Sequence, residues 1–168
     1  MTASRAVVIG VGNEFRGDDG IGLTVAFQIE RLGLPGVVVA RCEGDPTELL
    51  DIWTGVGLAV VIDAVRRDPA TAGRIRRVGV DALRGGSGNT GSHALSIPEA
   101  VPLGRALDRV PGELVVVAVE ADCFDFGVGL CEPVAAAVPR AVEAVLTELR
   151  HVVRIDDVTP GVNEDEAR

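Results

Sequence analysis

The stretch RAVVIGVGNEFRGDDGIGLTVAFQIERL, at residues 5–32, predicts a strand, a loop and a helix in that order. The apolar run at 6–11, directly after Arg5, predicts a buried strand over residues 5–11. Residues 20–32 carry apolar side chains at helical spacing, which predicts a helix with one buried face. That face contains Ile21, Val25, Ile29 and Leu32. The stretch therefore predicts the first strand–helix unit of an α/β protein.

The rest of the chain repeats this alternation of strands and helices. Further strands are predicted at 36–42, 58–63, 74–80 and 113–119, and further helices at 46–53, 96–107 and 132–150. The strand at 74–80 alternates imperfectly, as an edge strand does, and Pro139 predicts a kink or a break in the last helix. This order favours an α/β/α sandwich with a mostly parallel sheet. We expect one domain over residues 1–155 and an acidic, flexible tail at 156–168.

Composition and charge exclude several classes of protein. The formal net charge of −9 argues against nucleic-acid binding, because phosphate neutralisation needs a basic surface. The sequence contains neither the apolar run of a signal peptide nor a segment of transmembrane length, so we expect a cytoplasmic protein. Cys42, Cys123 and Cys131 are odd in number and lack C-x-x-C spacing. They are predicted to be reduced, buried residues rather than a disulfide frame or a zinc site.

Acidic residues follow two of the predicted strands. Ligands of open parallel sheets bind beyond the carboxyl ends of the strands, so the loops at 12–19, 43–46 and 63–65 are candidate site loops. Asp18 and Asp19 open a helix, where one acid can cap and the other can complement the dipole. We expect the capping role for Asp18, and a role in the site for Asp19. Asp63 ends a predicted strand, which is equally consistent with a site residue and with a cap.

His93 follows a glycine-rich stretch, and a single histidine of this kind is more often a surface residue than a ligand. Together with Asp19 and Asp63, however, it would supply two carboxylates and one imidazole. That set suits a borderline divalent ion such as nickel or zinc. The three residues lie far apart along the chain, so their spacing alone does not show that they meet.

Other catalytic motifs are missing from the sequence. Phe15 stands where a dinucleotide-binding loop needs its third glycine. GGSGN at 85–89 ends in asparagine, where the nucleophile elbow of a serine hydrolase requires glycine. The chain also lacks a His-Glu-x-x-His helix. Hydrolysis would therefore have to use a carbonyl or a water polarised by a metal or by an aspartate.

Five short blocks over residues 6–150 resemble the hydrogenase maturation proteases. They are IGVGN at 9–13, GDDGIG at 17–22, IDA at 62–64, SHALS at 92–96 and GVGL at 127–130. Each block is weak by itself, and their order and spacing together carry the resemblance. It implies a three-layer α/β/α sandwich with a twisted, mostly parallel five-stranded sheet.

The resemblance also implies a site and a reaction. By position, Asp19, Asp63 and His93 would be the catalytic and metal-binding residues. The substrate cleft would include Asn13, Glu43 and Gly44. The implied reaction is endoproteolytic removal of the C-terminal extension from a nickel-loaded NiFe-hydrogenase large-subunit precursor. Ni²⁺ would be presented by the substrate rather than held permanently, and the enzyme would be a monomer. Two alternatives are a non-catalytic nickel-binding accessory protein and a small-molecule metallohydrolase.

Overall fold

The computed structural model describes residues 6–66, 71–79 and 96–153. In chain order, the strands are β1 (Ala6–Val11), β2 (Val37–Cys42), β3 (Leu58–Arg66), β4 (Ile75–Gly79) and β5 (Glu113–Ala121). The helices are α1 (Ile21–Arg31), α2 (Pro46–Trp53), α3 (Ser96–Ala106) and α4 (Glu132–Leu149). A 3-10 turn (Gly17–Gly20) leads into α1, so α1 begins one residue later than its pattern predicts.

The strands form one sheet in the order β2-β1-β3-β5-β4. The first four strands are parallel, and β4 pairs antiparallel with β5 at the edge. This confirms the predicted five-stranded, mostly parallel sheet and the edge position of the fourth strand. Antiparallel pairing suits β4 because, among the described residues, it is the last strand at this end of the sheet.

Helices cover both faces of the sheet, as the predicted sandwich requires. On one face, α1 and α4 pack over alternate strand residues such as Val8, Val60 and Val117. On the other face, α2 and α3 pack over the intervening residues, such as Ile9 and Val61. Apolar side chains on both sides of each central strand explain why these strands are continuously apolar in sequence.

The last helix is continuous despite its internal proline. α4 extends from Glu132 to Leu149 with Pro139 inside it, so of the two predicted effects, a kink or a break, the break does not occur. Pro139 lies on the exposed face, where water can hydrate the carbonyl group that loses its partner. The buried stripe that includes Val134, Ala141 and Val145 keeps the two halves packed on the same sheet face.

Candidate functional site

The strand order creates a crevice between β1 and β3. From β1 the chain passes through α1 to β2 on one side, and then through α2 to β3 on the other side of β1. The two connections thus place β2 and β3 on opposite sides of β1, and ligands of open α/β sheets bind at such a switch in strand order. Asp19 follows β1, and Asp63 lies in β3, so both of these predicted site residues belong to this crevice.

Asp63 lies inside β3 and does not end it, which corrects the sequence-based boundary. The strand continues to Arg66 because residues 63–66 pair with residues 118–121 of β5. On the other side, pairing with β1 ends at Ile62, which is opposite Gly10. Asp63 is thus the first residue of β3 beyond the β1 ladder, and it is only 3% exposed.

Asp19 is held against the end of β1 by backbone contacts. Its Oδ2 accepts a hydrogen bond of 2.9 Å from the backbone N–H of Asn13. Gly12 has a φ of +151° and lies so close to the Asp19 carbonyl that a Cβ atom would overlap it. Neither Asp18 nor Asp19 caps α1, whose N-cap residue is Gly20 without a side-chain hydrogen bond. The capping interpretation of this acidic pair is therefore wrong.

The ionisation of Asp63 depends on its burial and on the neighbouring Asp19. Burial raises the pKa of Asp63 well above its usual value, and the negative charge of Asp19 raises it further, against a hydrogen bond from the Ala64 backbone. Two buried carboxylates that repel each other electrostatically disfavour double ionisation. A shared proton or a divalent cation would relieve the repulsion, so the pair is suited to holding either.

The remaining predicted site residues are only partly placed. His93 and the glycine-rich stretch before it lie outside the described residues. Asn13 is half-buried beside Asp19, and its side chain accepts a hydrogen bond from the backbone N–H of Phe15. Glu43 is exposed and Gly44 is buried, and both follow β2 at the same edge of the sheet as Asp19.

Asp18 is a buried acceptor for the loop that joins β5 to α4. Its Oδ1 accepts a hydrogen bond of 2.7 Å from the backbone N–H of Cys131, and its Oδ2 accepts one of 3.0 Å from that of Cys123. The Asp122 N–H and the Cys131 thiol also donate to Oδ2. Burial raises the pKa of Asp18, but the hydrogen bonds outweigh burial and leave this pKa below its usual value.

This link between loops was missed in the sequence because the loop after β5 was not among the candidate site loops. β5 is parallel to β1, so its carboxyl end lies at the same edge, and this parallel topology is the signal that could have found it. The two loops also pair through their backbones. Gly17 N–H donates to the Gly127 carbonyl, and Gly127 N–H donates to the Phe15 carbonyl, both at 2.9 Å.

The cysteines differ from the prediction that all three are buried. Only Cys42 is buried, and burial raises the pKa of its thiol to about 11. Cys123 is exposed and Cys131 is half-buried, because both belong to the loop at the sheet edge. Burial, with the neighbouring Asp18, raises the pKa of the Cys131 thiol to about 11.

Gly22 sets the distance between α1 and the two strands of the crevice. A Cβ atom at this position would lie 2.5 Å from the carbonyl oxygens of both Ile62 and Val11. We expect Gly22→Ala to lower the free energy of unfolding by about 1–3 kcal/mol, since backbone must move to admit the methyl group. Urea unfolding measures this change. Gly79→Ala is the control, because a Cβ atom there meets nothing within 4 Å, and equal stability of the two variants would contradict the close approach.

Fold and site together define an open, doubly wound α/β protein with a pair of buried carboxylates at its switch point. The chain belongs to the hydrogenase maturation protease family. The model of this family, described as "Hydrogenase maturation protease", matches residues 44–148. It is also 30% identical over 156 residues to a Methanocaldococcus jannaschii protein whose name places it among the hydrogenase maturation proteases. That alignment covers 89% of this chain and 99% of the relative.

Solved structures agree with this assignment. The NiFe hydrogenase maturation protease HybD of Thermococcus kodakarensis superposes with a TM-score of 0.74 at 25% identity, covering 86% of this chain and 98% of that one. The hydrogenase maturating endopeptidase HybD of Escherichia coli has the same fold, with a TM-score of 0.73 at 24% identity, covering 90% and 99%. The predicted family, fold class and enzyme class, a hydrolase that acts as an endopeptidase, are confirmed.

Proposed function

We propose that this endopeptidase removes the C-terminal extension of a nickel-loaded NiFe-hydrogenase large-subunit precursor. Membership of the family favours endoproteolysis over the two alternatives, a nickel-binding accessory protein and a small-molecule metallohydrolase. The relative from Thermococcus kodakarensis is itself named as a NiFe hydrogenase maturation protease, which supports this class of substrate. In this proposal the enzyme acts as a monomer in the cytoplasm and binds no nucleic acid.

The observation that carries the proposal is the buried pair of Asp19 and Asp63 at the switch point. Each carboxylate is 3% exposed, and Asp19 raises the pKa of Asp63. A divalent cation between them would relieve the repulsion between the two carboxylates. Carboxylate oxygens alone would also accept hard cations, so the proposal assigns selectivity for nickel to the imidazole of His93.

In this proposal the nickel ion arrives as part of the substrate. A precursor that has received its ion gains affinity through Asp19, Asp63 and His93, whereas an unloaded precursor lacks that interaction. Binding is then coupled to loading, so the extension stays in place until the ion is present. The peptide bond is attacked by a water that the ion or one of the aspartates polarises.

The rim of the crevice supports binding of a polypeptide. Phe15, Phe126 and Val128 are 57%, 93% and 77% exposed, on the two loops that pair beside Asp19. Large apolar side chains clustered on a surface favour contact with a partner chain. Asn13, Glu43 and Gly44 are proposed to line the cleft between this rim and β2. In the residues that the structure describes, no helix has the length and apolarity needed to cross a membrane.

Incubation with purified precursor tests the proposal. Wild-type enzyme is expected to shorten the nickel-loaded large subunit at its C-terminus and to leave the nickel-free form intact. His93→Ala is expected to cleave neither form, because the two carboxylates alone hold the ion weakly. Intact-mass spectrometry of the large subunit measures both outcomes. Equal cleavage of loaded and nickel-free precursor would remove nickel from recognition, and full activity of His93→Ala would remove this residue from the site.

A further inference from the structure

A second group of potential metal ligands lies beside the first, on the paired loops of the rim. Asp18, Cys123 and Cys131 each offer one ligand atom, and these atoms all lie within 4.8 Å of one another. Among the described residues, no other group of three or more histidine, cysteine, aspartate or glutamate side chains meets this condition. We propose that these three residues bind a thiophilic divalent cation such as Zn²⁺, at a site separate from Asp19 and Asp63.

The ligand set determines which ions can bind. Two thiolates and one carboxylate favour zinc and similar ions over magnesium or calcium, which prefer oxygen ligands. Zinc sites with three protein ligands keep a fourth, tetrahedral position for water or another ligand. With zinc–sulfur bonds of about 2.3 Å, neighbouring sulfur ligands lie about 3.8 Å apart. A separation at the upper limit of 4.8 Å would have to shorten by about 1 Å, and the 3.0 Å contact between Cys131 Sγ and Asp18 Oδ2 would have to lengthen by a few tenths of an ångström. Rotation of the exposed Cys123 side chain can supply the first change.

Asp18 is already oriented as a ligand would be. Backbone N–H groups of Asp122, Cys123 and Cys131 hold its two oxygens, and such contacts to a ligand strengthen metal binding. The Cys131 thiol donates to Oδ2 at 3.0 Å, so a cation at this point takes the place of the donated proton. Each cysteine releases one proton to solvent when the ion binds.

The bound ion would join two loops that hydrogen bonds already link. Asp18 follows β1, whereas both cysteines follow β5. Asp18 is adjacent in sequence to Asp19, so the ion would hold the backbone that carries a residue of the proposed catalytic site. The proposal thus assigns this ion a positioning role at the rim, without contact with the cleaved bond.

Cobalt spectroscopy of the full-length, reduced protein tests this proposal. Titration with Co²⁺ under argon is expected to produce thiolate-to-cobalt charge-transfer absorption and the visible bands of a tetrahedral ion. One equivalent per chain should saturate these bands, and added Zn²⁺ should abolish them. Cys123→Ser and Cys131→Ser should each weaken binding by more than about 100-fold, because even the partners of ligands change affinity by about 10–100-fold.

Two controls separate this site from the proposed nickel site and from the third cysteine. Cys42→Ala should keep the thiolate bands, and so should the double variant Asp19→Asn/Asp63→Asn, because neither removes a ligand of the proposed site. Cys123 is exposed, so its serine variant should fold as the wild type does, which circular dichroism verifies. Absence of thiolate bands in the wild type, or undiminished bands in Cys123→Ser, would overturn the proposal. Either result would leave the proposed cleavage reaction unaffected.

Discussion

Asp63→Asn is expected to abolish cleavage of the nickel-loaded precursor and, at the same time, to stabilise the free enzyme at neutral pH. An amide binds a divalent cation far more weakly than a carboxylate, so we expect processing to fall by about 100-fold or more. The stabilisation has a separate cause. Burial and the charge of Asp19 oppose ionisation of Asp63 in the fold, and an amide carries no charge to be opposed.

The gain in stability should depend on pH in a direction set by the raised pKa of Asp63. Below the pKa of an unfolded aspartate, about 3.9, Asp63 is protonated in both states, so variant and wild type should be equally stable. As the pH rises, the unfolded wild-type chain loses the proton first, and the wild type loses stability until the raised folded pKa is passed. Above that pH the difference should stay constant.

Urea unfolding of both proteins from pH 4 to pH 9 measures this difference, and intact-mass analysis of the precursor measures cleavage. Asp51→Asn is the control, because Asp51 is exposed and pairs with Arg109 at the surface. It should change neither cleavage nor the pH dependence, since surface ion pairs contribute little to stability. An Asp63→Asn enzyme that still processes the precursor would exclude the carboxylate from the reaction. One that is less stable than wild type at pH 8 would contradict the repulsion between Asp63 and Asp19.

Much of the fold could be predicted from the sequence because apolar periodicity reports burial directly. The helix at Pro46–Trp53 has the predicted bounds, and β1 and β2 differ from prediction by a residue at most among the described residues. β3 was predicted too short because its last three residues, 64–66, are held by pairing with β5, a strand some fifty residues away. A window on the local sequence cannot contain that partner, so Asp63 was taken as the end of the strand.

The site was only partly predictable, for a related reason. Position at the carboxyl ends of parallel strands was enough to select Asp19 and Asp63, because parallel topology places those ends together. The partners of Asp18 are backbone groups more than a hundred residues further along the chain, and no local pattern identifies them. Asp18 was therefore interpreted through its nearest helix, as a cap. The predicted third ligand, His93, lies outside the described residues and stays a prediction.

Asp18 and Asp19 are adjacent and have the same side chain, so a change to asparagine at each position can separate their roles. Asp18 and Asp19 are both buried, but the Asp18 carboxylate accepts hydrogen bonds on both oxygens, whereas the contact described for Asp19 is the single one from Asn13. Asn can replace a carboxylate that accepts on one oxygen. It cannot replace one that accepts on both, because its NH₂ group would then face a backbone N–H donor.

Asp18→Asn is therefore expected to lower the free energy of unfolding by about 1.5–3 kcal/mol, the range for hydrogen bonds to charged groups, while its folded fraction still cleaves the precursor. Asp19→Asn is expected to be at least as stable as the wild type and to lose cleavage, because the amide oxygen can accept from Asn13 and the charge that opposes ionisation of Asp63 is removed. Urea unfolding gives the stabilities, and processing of loaded precursor at a temperature where both variants are folded gives the activities. Equal loss of cleavage in the two folded variants would show that Asp18 also acts in the reaction. Full activity of Asp19→Asn would show that cleavage depends on the charge of Asp63 and not on that of Asp19.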